Sequence, residues 1–329
     1  MRDRIFKIIL KRLIYSILMI LVLVSVVFFM MYLLPGDPFQ QYYSPKLGND
    51  LAEEIRSEFG FDKPVLVQFI NWIKNVSQGD FGYSIVYKRP VNQLLNESIL
   101  VTLSISMTAF ILQILITIPL GLFLLKHSGK KIDLIIDKLA LIIYSAPSFV
   151  VAIVLIYFGS IVFKIFPSSQ MISYNFYEMS FSQKIVDLLH HLTLPVLTLT
   201  ITSVSFSIRY LRESLINVSN EGFVIALRSN GIPEKVIRRK HILPNALISY
   251  ITILGMEIGS LLSKTLITET VFSLPGMGKL MVSSIFTRDY PVIVACVMIS
   301  GFMVIIGNLV ADFLIARFNP KFSYEIVSR

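Results

Sequence analysis

Two ionisable residues stand inside the apolar segment 246–270, where a charged side chain is costly if lipid surrounds it. Glu257 and Lys264 are seven residues apart, so in one continuous helix they would share a face. They either pair through an intervening polar group or line a polar pathway, in which the Glu257 carboxylate would attract a cationic group. A third acid, Glu269, lies at the outer end of the segment and either faces that pathway or caps a loop. The chemistry that these residues allow is the binding of charged groups.

Other kinds of site are less well supported. His190 and His191 could be taken for a metal pair, but adjacent helical residues point about 100° apart and rarely chelate one ion. The sequence contains no G-x-x-x-x-G-K-[ST] motif, and "PGMGKL" has neither its spacing nor its Ser/Thr. Ser/Lys, Asp/Asp and H-E-x-x-H arrangements are not placed at membrane depth. We therefore expect no catalytic residue, metal or cofactor in this chain.

The composition is that of a membrane protein. Of the 329 residues 54% are hydrophobic and only 16% are charged, and the mean hydropathy is +0.71. Apolar segments of spanning length occur at roughly 13–34, 98–125, 133–163, 192–212, 246–270 and 291–316. The first is too long for a signal sequence and lacks a small-x-small cleavage site, so we expect it to be retained. The sequence thus predicts an all-α protein with six transmembrane helices.

The distribution of basic residues predicts the orientation. Six spans place both termini on one side, and 19 of the 30 Lys and Arg residues lie in the termini and loops of that side, although the opposite loops are longer in total. By the positive-inside rule, both termini and the loop 216–245 are cytoplasmic. The net charge of +9 therefore reflects orientation in membrane lipid, and nucleic acid is not an expected partner.

Prolines are expected to interrupt several spans. Pro119 and Pro147 interrupt the second and third, and Pro195 lies near the start of the fourth. Such breaks are tolerated where neighbouring groups satisfy the freed carbonyls. Kinked helices packed around a pathway are therefore expected.

The longest loop outside the membrane, 35–95, is predicted to be a small helical insertion. Asn49 or Asp50 suits the N-cap of a helix over 51–58, and Pro64 suits the first turn of a second helix.

The cytoplasmic stretch from Ser219 to Pro244 is predicted to form two short helices. Ser219 or Asn220 caps the first, which stops at Gly231, where a left-handed residue is needed. Pro233 starts the second helix and Pro244 ends it. The predicted apolar positions are Phe223, Ala226 and Leu227 on the first helix and Ile232, Val236 and Leu243 on the second.

Three interpretations of this stretch compete. It is a basic loop lying on anionic headgroups, a DNA-binding helix-turn-helix, or a docking element for a soluble partner. Membrane spans on both sides disfavour DNA binding, and about 35 residues exceed what a plain connector needs. A docking element is therefore favoured, although orientation alone could account for Arg238, Arg239 and Lys240.

The docking interpretation is strengthened by a resemblance. Ala226, Gly231, Leu243 and Pro244 match in register the EAA loop of ABC-importer membrane subunits, whose consensus is E-A-A, three residues, G, nine residues, I-x-L-P. His241 replaces the consensus Ile, which is similar to the dipeptide/oligopeptide/nickel branch. The acid of the consensus is missing, since Ile225 stands in its place.

Further segments resemble the B-type oligopeptide/dipeptide permease subunit over almost the whole chain. They are "LPGDPF" (34–39), "GDFGYSIVYKRPV" (79–91), "TIPLGL" (117–122), "LPVLTL" (194–199), "ETVFSLPGMGKLMVSSIFTRDYPVI" (269–293) and "ADFLIARFNPKFSY" (311–324). The resemblance implies the type I ABC importer transmembrane fold. Its parts would be an N-terminus with the first helix (1–34), an extracytoplasmic region (35–95), a type-1 domain with five helices (96–316) and a cytoplasmic tail (317–329).

The resemblance also implies function and partners. It implies a permease that imports peptides across a bacterial or archaeal cell membrane with a second related permease, two cytoplasmic ATPase subunits that bind ATP and Mg, and an extracytoplasmic substrate-binding protein. The residues implied in coupling to the ATPases are Ala226, Gly231, Ile232, Pro233, Arg238, His241, Leu243 and Pro244. A nickel or metal-chelate importer remains an alternative. An ion-coupled carrier is a different class, which predicts inverted repeats that the sequence does not show.

Overall fold

The computed structural model describes residues 2–33, 63–84 and 86–318, and most of them are helical. The helices are α1 (Arg2–Leu33), α2 (Val65–Ser77), α3 (Val91–Lys126), α4 (Lys131–Ser145), α5 (Ser148–Ile156), α6 (Phe181–Ser219), α7 (Gly222–Ser229), α8 (Glu234–Val236), α9 (Leu243–Gly259), α10 (Leu261–Val271), α11 (Met277–Phe286) and α12 (Tyr290–Phe318). A short antiparallel hairpin joins β1 (Tyr83–Ser84) to β2 (Arg89–Pro90). The predicted helix over 51–58 and the tail 319–329 lie outside the described residues.

Five described helices are long and apolar enough to cross a membrane, and a bent pair makes a sixth. The bent pair is α4 with Ser148–Val162, which is α5 and the π-helical turn Tyr157–Val162 that continues it, and the two members meet at 104°. Ala146, with φ −80° and ψ 136°, and Pro147 separate them, because the residue before proline is driven to extended backbone. The six predicted spans agree with this result when the bent pair is counted as one span, and Pro147 interrupts the third as predicted.

The other prolines behave differently. Both α3 and α6 continue through Pro119 and Pro195, so the predicted interruption at Pro119 is wrong. A proline removes one helical hydrogen bond, and packing of a long apolar helix against its neighbours outweighs that local loss.

The chain divides into two compact units. The first contains described residues of Met1–Ile99 and Leu280–Phe302. In it the start of α12 packs on α1 through Val24, Met31 and Ile293, and α2 joins this cluster through Phe69 and Trp72. Helix α2 begins after Pro64, as predicted.

The hairpin of this unit is tied to the start of α12. The Ser84 hydroxyl donates a hydrogen bond to the Asp289 carboxylate, and both side chains are buried. Burial raises the pKa of the Asp289 carboxyl, whereas the bond from Ser84 opposes that shift. This part of the predicted helical insertion therefore includes a small strand pair.

The second unit, Leu100–Lys279 with Met303–Arg329, holds the candidate site. One of its apolar clusters joins α3, α5 and α6 through the buried side chains of Ile105, Ala152 and Leu199. A second, smaller cluster joins α3, α4 and α6 through Leu124, Ala140 and Ile208. The long α6 therefore forms part of both clusters and positions the elements around it.

The predicted fifth span is divided into α9 and α10 by Ser260. At this break Gly259 meets α12 so closely that a methyl group on Gly307 would lie 2.2 Å from the Gly259 Cα. Only glycine permits backbones to approach in this way. The close crossing fixes the break against α12.

Candidate functional site

The first half of the predicted docking element is formed by α7 and its terminal turn. Gly231 has φ +74°, in the left-handed region where glycine is favoured. The Gly231 N–H donates to the Arg228 carbonyl at 3.0 Å, and the Ile232 N–H donates to the Leu227 carbonyl at 3.3 Å. This pair of bonds is a Schellman motif, which ends a helix and reverses the chain. The predicted role of Gly231 as helix stop is confirmed, whereas the first helix begins after Glu221 instead of Ser219 or Asn220.

The second half continues into the membrane helix. After α8 the chain makes a wide π-helical turn, Ile237–Ile242, and runs directly into α9, so Pro244 lies in the first turn of α9. The prediction that Pro244 ends this helix is therefore wrong. The wide turn avoids the clash of a proline ring with the preceding turn, and the Asn245 side chain donates to the His241 carbonyl at 2.7 Å. Residues 220–242 are called the two-helix segment below.

The inner face of the two-helix segment is packed against α6 and α9. Val224, Ile237 and Ile242 are fully buried. The partners of this cluster are Leu211 and Leu215 of α6 and Ala246 and Tyr250 of α9, with Leu227, Ile232 and Leu243 partly buried around it. Ile232 and Leu243 of the predicted apolar stripe pack here as expected, and the π turn shifts the helical spacing so that Ile237 and Ile242 are the fully buried side chains, whereas Val236 is only partly buried. A continuous apolar core thus joins the segment to both membrane helices.

The outer face of α7 is exposed and apolar. Phe223 and Ile225 are 39% and 56% exposed, and Ala226 beside them is also exposed. Of the predicted apolar positions on this helix, Leu227 packs against the core beside Val224, whereas Phe223 and Ala226 lie on the exposed face. Within the described chain this face has no covering element, and Ile225 stands where the EAA consensus has an acid.

Glu234, which was not predicted from the sequence as a functional residue, links the parts of the two-helix segment. Glu234 accepts from Arg228 at 2.7 Å and lies 3.6 Å from Arg238. Arg228 also donates to the Ser219 carbonyl at the end of α6, at 3.1 Å. Exposed ion pairs contribute little stability singly, but this one links α6, α7 and α8. The sequence feature that could have indicated this contact is the presence of Glu234 among several basic residues.

The remaining residues implied in coupling lie on the segment's surface or border. Pro233 is exposed and precedes α8, and His241 is half-buried in the π turn. Arg239 and Lys240 are exposed. The predicted coupling residues therefore lie in the two-helix segment and, for Leu243 and Pro244, in the first turn of α9 that follows it.

Glu257 and Lys264 form a direct ion pair of 2.9 Å between Oε1 and Nζ. The break at Ser260 places them on separate helices, so the one-helix-face reasoning and the intervening polar group are both wrong. Gln113 of α3 donates to the second oxygen of Glu257 and to Ser207 of α6. Three membrane helices and α10 therefore meet at this pair.

A small cavity of about 20 Å³ lies beside the ion pair. Its polar lining comes from Ser106, Gln113, Ser203, Glu257, Lys264 and Thr265. Lipid would not stabilise such a lining, so these groups belong to the protein interior or to a hydrated path. The arrangement can bind a water molecule or one polar group of a ligand.

Glu269 is fully buried and its carboxylate is used internally. It accepts from Thr102 at 2.7 Å, from the Gly278 N–H at 2.7 Å and from the Lys279 N–H at 3.2 Å. The last two donors begin α11, where a carboxylate is favourable. A methyl group on Gly276 would lie 2.3 Å from this carboxylate. The geometry favours loop capping over the pathway role, and explains the glycines of "PGMG".

Two further ion pairs, not recognised from the sequence, join α4 to α6. Arg212 donates to both oxygens of the fully buried Asp133 at 2.6 and 2.7 Å, and Arg209 pairs with Asp137 at 3.2 Å. The acids are four residues apart and the arginines three, which is the spacing of neighbours on a helix face. This spacing is the sequence feature that could have indicated the two ion pairs.

His190 and His191 contact different groups. The His190 ring contacts the Ile165 carbonyl, while the His191 ring contacts the Gln170 carbonyl and the Ser173 hydroxyl. Ser173 also donates to Asp187. These bonds hold the segment before α6 against its first turns. The centroids of the two rings lie 6.5 Å apart, and each ring contacts a different carbonyl.

Comparison with known proteins identifies the chain's relatives. The sequence family described as binding-protein-dependent transport system inner membrane component matches residues 117–324, and its N-terminal counterpart matches 5–108. The oligopeptide transport system permease protein AppB of Bacillus subtilis is 35% identical over 96% of this chain and 99% of its own length. The glutathione transport system permease protein GsiC of Salmonella typhimurium is 33% identical over 96% of this chain and 99% of its own length.

Solved structures share the fold. An inward-facing MetNI methionine ABC transporter chain matches with a TM-score of 0.56 and 17% identity, over 69% of this chain and 97% of that one. An amino acid ABC transporter crystallised with histidines matches with a TM-score of 0.53 and 20% sequence identity, over 68% of this chain and 94% of that one. The predicted type I ABC importer transmembrane fold is confirmed.

Proposed function

The chain belongs to the family of binding-protein-dependent transport system inner membrane components, and on that premise we propose that it is the permease of a peptide importer. The proposed substrates are oligopeptides or dipeptides. The observation that carries the proposal is end-to-end similarity to permeases whose names specify peptide or glutathione transport. A similarity that includes both the membrane helices and the docking element favours the same kind of assembly.

The two-helix segment is the proposed site of coupling to the ATPase subunits. Its exposed apolar face, Phe223 with Ile225 and Ala226, fits an apolar groove on a soluble partner. Its buried face is continuous with α6 and α9. A displacement of the partner is therefore passed to two membrane helices, and the pathway alternates between outward and inward openings.

The proposed assembly contains a second, related permease, two ATPase subunits and an extracytoplasmic binding protein. ATP and Mg are bound by the ATPase subunits. The excess of Lys and Arg supports a cytoplasmic location for both termini and the two-helix segment, on the side where the ATPases would act. Alternating access then connects the binding protein on one side with the cytoplasm on the other.

Reconstitution tests the proposed substrate. We expect proteoliposomes that contain the complete transporter and its loaded binding protein to take up a labelled oligopeptide. This uptake should occur only when ATP is supplied on the side of the membrane that carries the ATPase subunits. The same vesicles receive ⁶³Ni²⁺ in a parallel assay as the control for a metal importer. ATP-dependent nickel uptake without peptide uptake would overturn the proposal.

Gly231 provides a test of the docking geometry. In Gly231→Ala the side chain meets no neighbour within 4 Å, so the effect comes from φ +74° alone. The left-handed conformation costs a residue with a Cβ about 1–2 kcal/mol, and asparagine tolerates it better. We expect Gly231→Ala to reduce ATPase co-purification in mild detergent by about 5- to 30-fold, since 1.4 kcal/mol corresponds to a factor of ten. Gly231→Asn is expected to reduce ATPase co-purification by a smaller factor.

Gly222→Ala is the matched control for this experiment. Gly222 also has no neighbour within 4 Å of a new methyl group, and it opens α7 without a positive φ. It should retain the ATPases. Equal retention by Gly231→Ala and Gly222→Ala would contradict a role for the turn in docking.

A further inference from the structure

The two members of the ion pair between Glu257 and Lys264 differ in accessibility. The Glu257 side chain is 6% exposed, whereas the Lys264 side chain is 41% exposed. Both carboxylate oxygens of Glu257 are engaged, one by Lys264 and the other by Gln113. A ligand approaching this pair therefore meets the ammonium group first.

The Lys264 ammonium retains hydrogen-bonding capacity. An ammonium has three N–H donors, and among the described residues its hydrogen bond is to Glu257. Glu257 holds the ammonium next to the polar cavity and Gln113 fixes Glu257 in turn. A positioned cation with free donors beside a polar cavity is suited to bind an anionic oxygen group.

We propose that Lys264 receives the C-terminal carboxylate of the peptide during its passage, which rests on the proposed function of peptide import. A substrate ammonium is a less suitable ligand, because the carboxylate that would attract it is buried and already paired. Glu257 and Gln113 are positioning residues that keep Lys264 in place. The pair is therefore a recognition site for a substrate group that all linear peptides with a free C terminus share.

The proposal is tested by comparing a peptide acid with its C-terminal amide. Initial ATP-dependent uptake of each is measured in proteoliposomes with saturating loaded binding protein, and the acid-to-amide ratio is calculated for each permease variant. The binding protein is the same throughout, so its own preference cancels when the ratios of variants are compared. We expect Lys264→Met to reduce acid uptake about tenfold more than amide uptake, as loss of one charge-assisted bond implies.

Three further variants distinguish recognition from structural pairing. Lys264→Arg retains the cation and is expected to retain the preference for the acid. Glu257→Gln removes the buried charge but leaves a side-chain amide oxygen that can still accept from the Lys264 ammonium, so Lys264 stays in position and the preference for the acid should also be retained. The double variant Lys264→Met with Glu257→Gln removes the unpaired buried carboxylate, and should transport without discrimination between acid and amide.

The outcomes separate this inference from the function on which it rests. An unchanged ratio in Lys264→Met, or equal loss of the ratio in Glu257→Gln, would overturn the role of Lys264 while peptide import by the wild type still stands. Restored discrimination in the double variant would also overturn it, because the defect would then come from the broken pair. Absence of peptide uptake by the wild type would instead contradict the proposed function.

Discussion

Gly307→Ala is expected to abolish most of the properly folded protein. The new methyl group would lie 2.2 Å from the Gly259 Cα and 2.3 Å from its nitrogen. These are backbone atoms, so no side chain can rotate away, and α12 must separate from the end of α9. Overpacking typically costs about 1–3 kcal/mol, and a backbone contact belongs at or above the upper end. The measurement is the monodisperse fraction in size-exclusion chromatography after detergent extraction, together with the melting temperature.

Gly301→Ala is the matched control, with the same substitution on the same helix. Its methyl group would lie 3.6 Å from the nearest atoms of Ile20 and Leu23, which is ordinary contact. We expect near-wild-type yield and melting temperature. If Gly307→Ala matched Gly301→Ala in both measurements, the close crossing at Gly259 would be contradicted.

Glu269→Ala is expected to have the second large effect. The substitution removes the hydrogen-bond acceptor of the Thr102 hydroxyl and of the N–H groups of Gly278 and Lys279, which all donate to this carboxylate. Each unsatisfied buried donor costs about 1–3 kcal/mol, and the deleted side chain also leaves a cavity. Thr102 in turn accepts from the Met277 N–H, so the loop before α11 loses its attachment to α3. We expect a large fall in melting temperature and in peptide uptake together.

Glu97→Ala is the matched control, because it removes a carboxylate from α3 itself, five residues before Thr102. The Glu97 side chain is 61% exposed and pairs with Arg89, so we expect little change in melting temperature. Loss of uptake in Glu269→Ala at an unchanged melting temperature would contradict the capping role and favour the pathway role. Equal stability of both variants would likewise contradict capping.

Features that depend on neighbours in the chain were predictable. The left-handed stop at Gly231 follows from the order of apolar residues, glycine and proline, and the start of α2 after Pro64 follows from proline's fixed φ. The spans follow from apolar length alone. Local rules were insufficient where tertiary packing opposed them, as at Pro119 and Pro244, where the helices continue.

Features that depend on partners far along the chain required the structure. The sequence presents Glu257 and Lys264 as a possible pair, but the break at Ser260 and the contact with Gln113 set its geometry. Asp133 finds Arg212 because α4 folds against α6, and hydropathy carries no information about that pairing.

The sequence by itself therefore predicted a largely helical membrane protein of the importer-permease family, with a two-helix segment between the fourth and fifth predicted spans. Apolar length, proline and glycine positions and charge asymmetry are local properties, and they survive in any packing of the helices. Only the tertiary structure decided that Glu269 caps a loop, that Val224 rather than Phe223 faces the core, and that Lys264 is the accessible member of its pair. These assignments depend on which helices approach one another, because burial and hydrogen bonding are set by the neighbours that packing supplies.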